Sequence, residues 1–277
     1  MIYENKKYDE ERALYGLKDS TVKNCIFAGP ADGESALKEC KNIKVENCDF
    51  QLRYPFWHVD GAQISNITMS EGCRAALWYD SDIAIENSQM CGIKALRECQ
   101  RISLSGCEIN SEEFCWRVSD ISIKNSTLNS VYPFFECKNM MIDGFRMTGK
   151  YSFQYVENVE IKNSVFKTKD AFWHAKNVTV YDSVVEGEYL GWYSENLKLV
   201  RCHIKGTQPF CYCKNLILED CTTEDCDLSF ERSEVMAEVK GNIVSVKNPI
   251  SGHIKADSIG EIIIEEDFVH TTCIIEG

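Results

Sequence analysis

The residues best suited to chemistry fall in two neighbouring columns of a repeating chain. One column reads Tyr15, Lys38, Trp57, Trp78, Arg97, Trp116, Phe135, Gln154, Trp173, Trp192 and Cys211, and it holds all five tryptophans of the protein. From Lys38 on, the residue after each gives Glu39, His58, Tyr79, Glu98, Arg117, Glu136, Tyr155, His174, Tyr193 and Tyr212. Charges such as Lys38, Arg97 and Glu98 cannot all be buried, so both columns are expected to leave the core at a corner and form an aromatic and polar strip. Such a strip suits a sugar. Flat rings stack on the apolar faces of pyranoses, while carboxylates, His and Arg bond their hydroxyls or carboxylates.

The substrate-binding candidates are Arg53, Trp57, Arg74, Trp78, Asp80, Trp116, Trp173, His174 and Trp192. Arg53, Arg74 and Arg97 would hold a sugar carboxylate, for which a planar guanidinium is suited. The catalytic candidates are His58 or Glu98 as general base or acid, Arg97, and Tyr79 as proton donor. Glu98 and Glu136 lie two coils apart, about 9–10 Å at the spacing of stacked strands, which leaves room for the water of an inverting glycosidase. The same residues also read as a Glu98–Arg117–Glu136 ion-pair ladder without catalytic role. Equally, the strip reads as a protein interface of a scaffold or homo-oligomer, because large apolar patches mark interaction surfaces.

Other chemistries find little support. His58, His174, His203, His253 and His270 are scattered without ligand spacing, so no metal site is expected. No glycine-rich phosphate loop appears, and no cofactor is expected. Most cysteines occupy small inward columns, such as Cys25 over Cys48 and Cys202 over Cys221, and read as buried packing thiols. A catalytic thiol would need an electropositive, exposed setting.

The columns exist because the chain repeats. Asn158-Val159-Glu160-Ile161-Lys162-Asn163-Ser164-Val165-Phe166 returns nineteen residues later from Asn177, and nineteen later again from Asn196. The central apolar positions are Val22, Val45, Ile64, Ile85, Leu104, Ile123, Ile142, Ile161, Val180, Leu199 and Leu218. A period near twenty marks a solenoid. Within each unit apolar and polar residues alternate with period two, which is strand and leaves no room for a helix. The predicted fold is an all-β, single-stranded right-handed parallel β-helix of about eleven coils, its hand following from that of parallel crossovers. One domain is expected, with 1–12 as N-terminal cap, 13–223 as regular coils, and 224–277 as irregular last coils and C-terminal cap. Within that cap, 262–267 reads as a final strand. A turn ladder of Asn, Gly and Asp follows each central strand, broken by Arg201. Extra residues at 28–35 and 70–75 flank the strip, where added loop length on a repeat protein collects at the working face.

Composition narrows the partners. Among 277 residues, 43 acidic against 30 basic side chains give a net charge of −13. Nucleic acid and anionic membrane surfaces are disfavoured, since their binders concentrate positive charge. No secretory signal is visible behind Met1-Ile2-Tyr3-Glu4-Asn5-Lys6-Lys7, and no apolar run approaches spanning length. With 15 cysteines, an odd number, a reducing cytoplasm is expected. An oligosaccharide or sugar acid is therefore the expected partner.

The coils resemble the pectin-lyase-like right-handed β-helix superfamily. More closely, Arg53-Tyr54-Pro55-Phe56-Trp57-His58, Ala75-Ala76-Leu77-Trp78-Tyr79 and Ala171-Phe172-Trp173-His174-Ala175-Lys176-Asn177 resemble an uncharacterised family of bacterial β-helix proteins. The resemblance covers essentially the whole chain. It implies the fold and no particular activity, because the superfamily contains polysaccharide lyases, hydrolases and esterases as well as binding and structural proteins. The chain departs from its enzymes: it has no paired-aspartate segment, no Gly-His-Gly, no Arg-Ile-Lys and no calcium-binding carboxylate cluster.

Overall fold

The computed structural model describes residues 1–31, 33–265, 267 and 270–277. Asp32 of the first long loop and Glu266 of the expected final strand lie outside the described residues. Among the described residues there is no helix, and none is long and apolar enough to cross a membrane. The chain is an all-β parallel solenoid. Its internal contacts define two units, Met1–Met140 and Met141–Gly277.

In the first unit the alternating segments form a stack of parallel strands: Ile2–Glu4, Lys18–Lys23, Lys41–Glu46, Asp60–Ser65, Ser81–Glu86, Gln100–Ser105 and Ser119–Lys124. Register runs apolar on apolar, Val22 on Val45 on Ile64 on Ile85 on Leu104 on Ile123. A five-stranded sheet of Phe56–Trp57, Leu77–Trp78, Ala95–Arg97, Glu113–Trp116 and Tyr132–Phe135 carries the columns of interest. In the second unit Glu157–Lys162, Lys176–Tyr181, Glu195–Val200, Leu216–Glu224, Glu234–Lys240, Ser251–Lys255 and Ile274–Glu276 stack the same way.

The coil count is about fourteen turns rather than eleven. Tyr3 pairs with Val22 ahead of the expected column, and Ala237, Ile254 and Ile275 continue it beyond Leu218. The last two steps are seventeen and twenty-one residues, which takes these rungs out of the nineteen-residue register.

Corner geometry explains why Ser and Cys fill the small inward columns. A corner N–H points along the stack and meets the side chain of the next coil. Ile67 donates to Ser88 Oγ (3.2 Å) and Cys107 to Ser126 Oγ (3.0 Å) in the first unit. In the second, Phe145 donates to Ser164 Oγ (3.2 Å) and Cys213 to Ser233 Oγ (2.8 Å). Thiols fill the same niche: Cys25 N–H meets Cys48 Sγ at 3.5 Å, and Cys202 Sγ lies 3.4 Å from both Val180 O and Val200 O. All fifteen cysteines are free, and burial pushes the thiol of Cys48 up to about 11. The buried cysteines of these columns are thus small corner caps. Cys202→Ser should change stability by less than about 1 kcal/mol, because hydroxyl and thiol alternate in this column. Cys202→Leu should cost about 1–3 kcal/mol by overpacking. Urea denaturation of the two variants checks both values.

The turn ladder forms as read, with Asn24, Asn47, Asn66, Asn87 and Asn125 all at positive φ. Arg201 takes that conformation too (φ 51). A bidentate bond from its guanidinium to Asp182, 2.7 and 2.8 Å, offsets the cost of a left-handed Arg.

Candidate functional site

Except at Cys211, the residues of both columns leave the core at a corner of their coil, as the alternation requires. Leu77 is fully buried, Trp78 is half-buried and Tyr79 is exposed. Stacking in register then brings like rings together. In the first unit Trp57 and Trp78 are 5.6 Å apart and 11° from parallel, and His58 and Tyr79 are 5.1 Å apart at 9°. In the second, Trp173 and Trp192 are 5.5 Å apart at 7°. Beside them Tyr155, His174, Tyr193 and Tyr212 make a ladder with steps of 4.9, 5.0 and 4.7 Å, each within 10° of parallel.

This geometry corrects the expectation that ring faces await a pyranose. Near-parallel rings only 5 Å apart overlap face to face, so the faces are spent on one another and the edges meet solvent. Some remaining faces are capped by the chain's own cations, with Lys38 Nζ 4.0 Å from the Trp57 centroid and the Arg97 guanidinium 4.8 Å from that of Trp116. What the strip offers outward is ring edges, phenol hydroxyls and imidazole nitrogens.

The candidate acids, bases and clamps are also engaged. Arg117 donates to Glu98 Oε1 at 2.6 Å and lies 3.8 Å from Glu136 Oε2, so these three residues form the ion-pair ladder rather than an open pair of carboxylates. The contact with Glu98 raises the guanidinium further above its ordinary range. Arg97 pairs with Glu113 (3.3 Å) and Arg53 with Glu34 (3.4 Å), so two of the three guanidinium groups read as a carboxylate clamp already hold carboxylates. Arg74 is exposed. Cys211, read as part of the outward column, is fully buried.

Asp80 requires a further correction. It was expected to face a ligand, but it is 1 % exposed. It stands three residues after inward Leu77, as Val59 stands after Phe56, and so occupies the inward corner column. Its Oδ1 accepts the Val59 N–H (2.7 Å), doing the work of Ser or Cys elsewhere, while Oδ2 has no hydrogen-bond partner among the described residues. Desolvation holds this carboxyl well above the usual carboxylate range. No cluster of three or more His, Cys, Asp or Glu able to hold a metal occurs among the described residues.

Sequence reasoning passed over Tyr54, whose ring centroid lies 6.1 Å from that of Trp57 and 6.3 Å from that of Trp78. Its signal was present: it stands three residues before Trp57, as Tyr132 does before Phe135 and Tyr189 before Trp192.

Fold and site together define a parallel β-solenoid carrying an edge-on aromatic strip on its coils. The chain belongs to the DUF3737 family, a family of proteins of unknown function, whose model matches residues 1–276. No curated protein matches the chain by sequence. Among solved structures it is similar to the surface adhesin PfbA of Streptococcus pneumoniae, with 11 % identity, a TM-score of 0.40, and coverage of 93 % of this chain and 72 % of that one. It is similar to the A-module of the mannuronan C-5 epimerase AlgE4 of Azotobacter vinelandii, with 11 % identity, a TM-score of 0.31, and coverage of 99 % and 89 %. It is also similar to HetL, a pentapeptide repeat protein of the cyanobacterium Nostoc, with 10 % identity, a TM-score of 0.32, and coverage of 80 % and 92 %.

Proposed function

We propose that this protein binds an extended oligosaccharide along its aromatic strip and does not turn it over. The observation that carries the reading is the pitch of the Tyr155, His174, Tyr193 and Tyr212 ladder, whose steps of 4.7–5.0 Å match the advance per sugar in an extended glycan. Each step presents a phenol or an imidazole in the same orientation, so successive sugars meet equivalent donors and acceptors. Recognition is by hydrogen bonds from ring edges, not by stacking on ring faces. The ladder is already rigid, so little side-chain freedom is lost on binding.

Turnover is not part of the proposal, because Glu98 and Glu136 share Arg117 and Asp80 lies behind the strip. The net charge of −13 supports a protein that leaves nucleic acid and anionic membranes alone. Fifteen free thiols support a cytoplasmic setting.

Tyr193→Phe and His174→Ala should each weaken binding of a neutral hexasaccharide about fivefold, the worth of one hydrogen bond, by isothermal titration. Particle size should not change. The competing reading is an interface between copies of the chain. Self-association that Trp78→Ala or Trp173→Ala disrupts, with no heat on adding sugars, would establish that reading instead.

A further inference from the structure

Three of the five indole N–H groups are spent within the chain. Trp116 donates to Tyr132 O (2.6 Å), Trp173 to Tyr189 O (2.7 Å) and Trp192 to Gln208 O (2.8 Å). Each acceptor stands sixteen residues on, three before the next member of the tryptophan column. The equivalent positions for Trp57 and Trp78 are Ala75 and Lys94, and neither accepts. Nε1 of both rings is cut off from solvent and has no hydrogen-bond partner among the described residues.

For Trp57 the neighbouring segment is the longer loop at 70–75. Its carbonyls turn to other partners: Gly72 O accepts the Arg74 N–H (2.8 Å) and Arg74 O accepts the Tyr54 N–H (3.2 Å). A buried donor left unpaired costs about 1–3 kcal/mol, and native chains seldom keep two side by side without a use for them. Tyr54 lies next to both rings, tilted 53° to Trp57 and 45° to Trp78.

We propose that the Trp57 and Trp78 N–H groups form a subsite for sp² oxygens of the ligand, one to each indole, beside the ring of Tyr54. This rests on the carbohydrate reading above and adds a specificity to it. A carbonyl or carboxylate oxygen only accepts, which suits a bare N–H, whereas a plain hydroxyl would bring a further proton to place. Two kinds of sugar supply such an oxygen: the acetamido group of an N-acetylated amino sugar, and the carboxylate of a uronic acid.

The test uses the whole protein with ¹⁵N-labelled tryptophan, its five indole N–H signals assigned by single Trp→Phe variants. The probes are the tetramer of β-1,4-linked N-acetylglucosamine, tetragalacturonate and cellotetraose. At least one carbonyl-bearing tetramer should shift the Trp57 and Trp78 signals downfield and bind about tenfold tighter than cellotetraose. Whichever does so names the source of the oxygen. Trp57→Phe with Trp78→Phe should erase the tenfold preference. Should that double variant not fold, the shifts in the unmodified protein decide the matter alone. The subsite is overturned, with glycan binding left standing, if cellotetraose moves the Trp57 and Trp78 signals as strongly as the other two or if both carbonyl-bearing tetramers leave those two signals unmoved. Failure of all three tetramers to bind removes the carbohydrate reading and the subsite with it.

Discussion

Replacing Asp80 with serine should stabilise the protein at pH 8 by roughly 1–3 kcal/mol, the cost of a buried polar group left unpaired. Serine keeps the bond to the Val59 N–H that Asp80 Oδ1 makes at 2.7 Å, as serine does at equivalent corners, and removes the unpartnered Oδ2. The pH dependence fixes the cause. Burial raises the folded-state pKa of Asp80 above its value in the unfolded chain. In that interval the folded state holds more protons than the unfolded one, so the native protein loses stability as pH rises. The advantage of Asp80→Ser should therefore be largest above the raised folded value and vanish as pH falls to the ordinary aspartate range. Urea unfolding of both proteins across that range measures it. An equal gain at every pH would assign the effect to packing instead of charge.

Phe166→Ala should destabilise the chain by about 3–5 kcal/mol, the cost of emptying a buried aromatic site. The ring is fully buried, 5.4 Å from Phe153 in an edge-to-face contact and 6.4 Å from Phe145. Met147 and Val185 pair with it on either side, so its loss opens the interior between two rungs. Backbone ladders hold those rungs at fixed spacing, which limits collapse into the gap. Phe166→Leu should cost distinctly less. Chemical denaturation of both variants reads the difference, and equal small losses would show that the interior relaxes around the gap.

Most of the winding could be read from the chain because a solenoid repeats its reasons: the apolar step from Val22 to Val45 to Ile64 is the register the strands adopt. The later rungs were hidden where steps of seventeen and twenty-one residues move Ile254 and Ile275 out of phase. The burial of Asp80 was legible in its position, three after Leu77, although it was named as a substrate-binding candidate. Ring orientation was also implicit. Strands about 4.8 Å apart leave no space for flat rings side by side, so His58 and Tyr79 had to stack. The indole partners could not be read in the same way, because they depend on where loop carbonyls turn, as the contrast between Trp116 and Trp78 makes plain.

The most direct test of a ladder that meets one sugar per rung is a chain-length series. Titration with neutral β-1,4-linked oligosaccharides of two to eight units should show affinity rising with each added sugar up to about the four rungs from Tyr155 to Tyr212, then levelling, with Tyr193→Phe lowering the plateau. Affinity independent of length, or a plateau that Tyr193→Phe leaves unmoved, would contradict it.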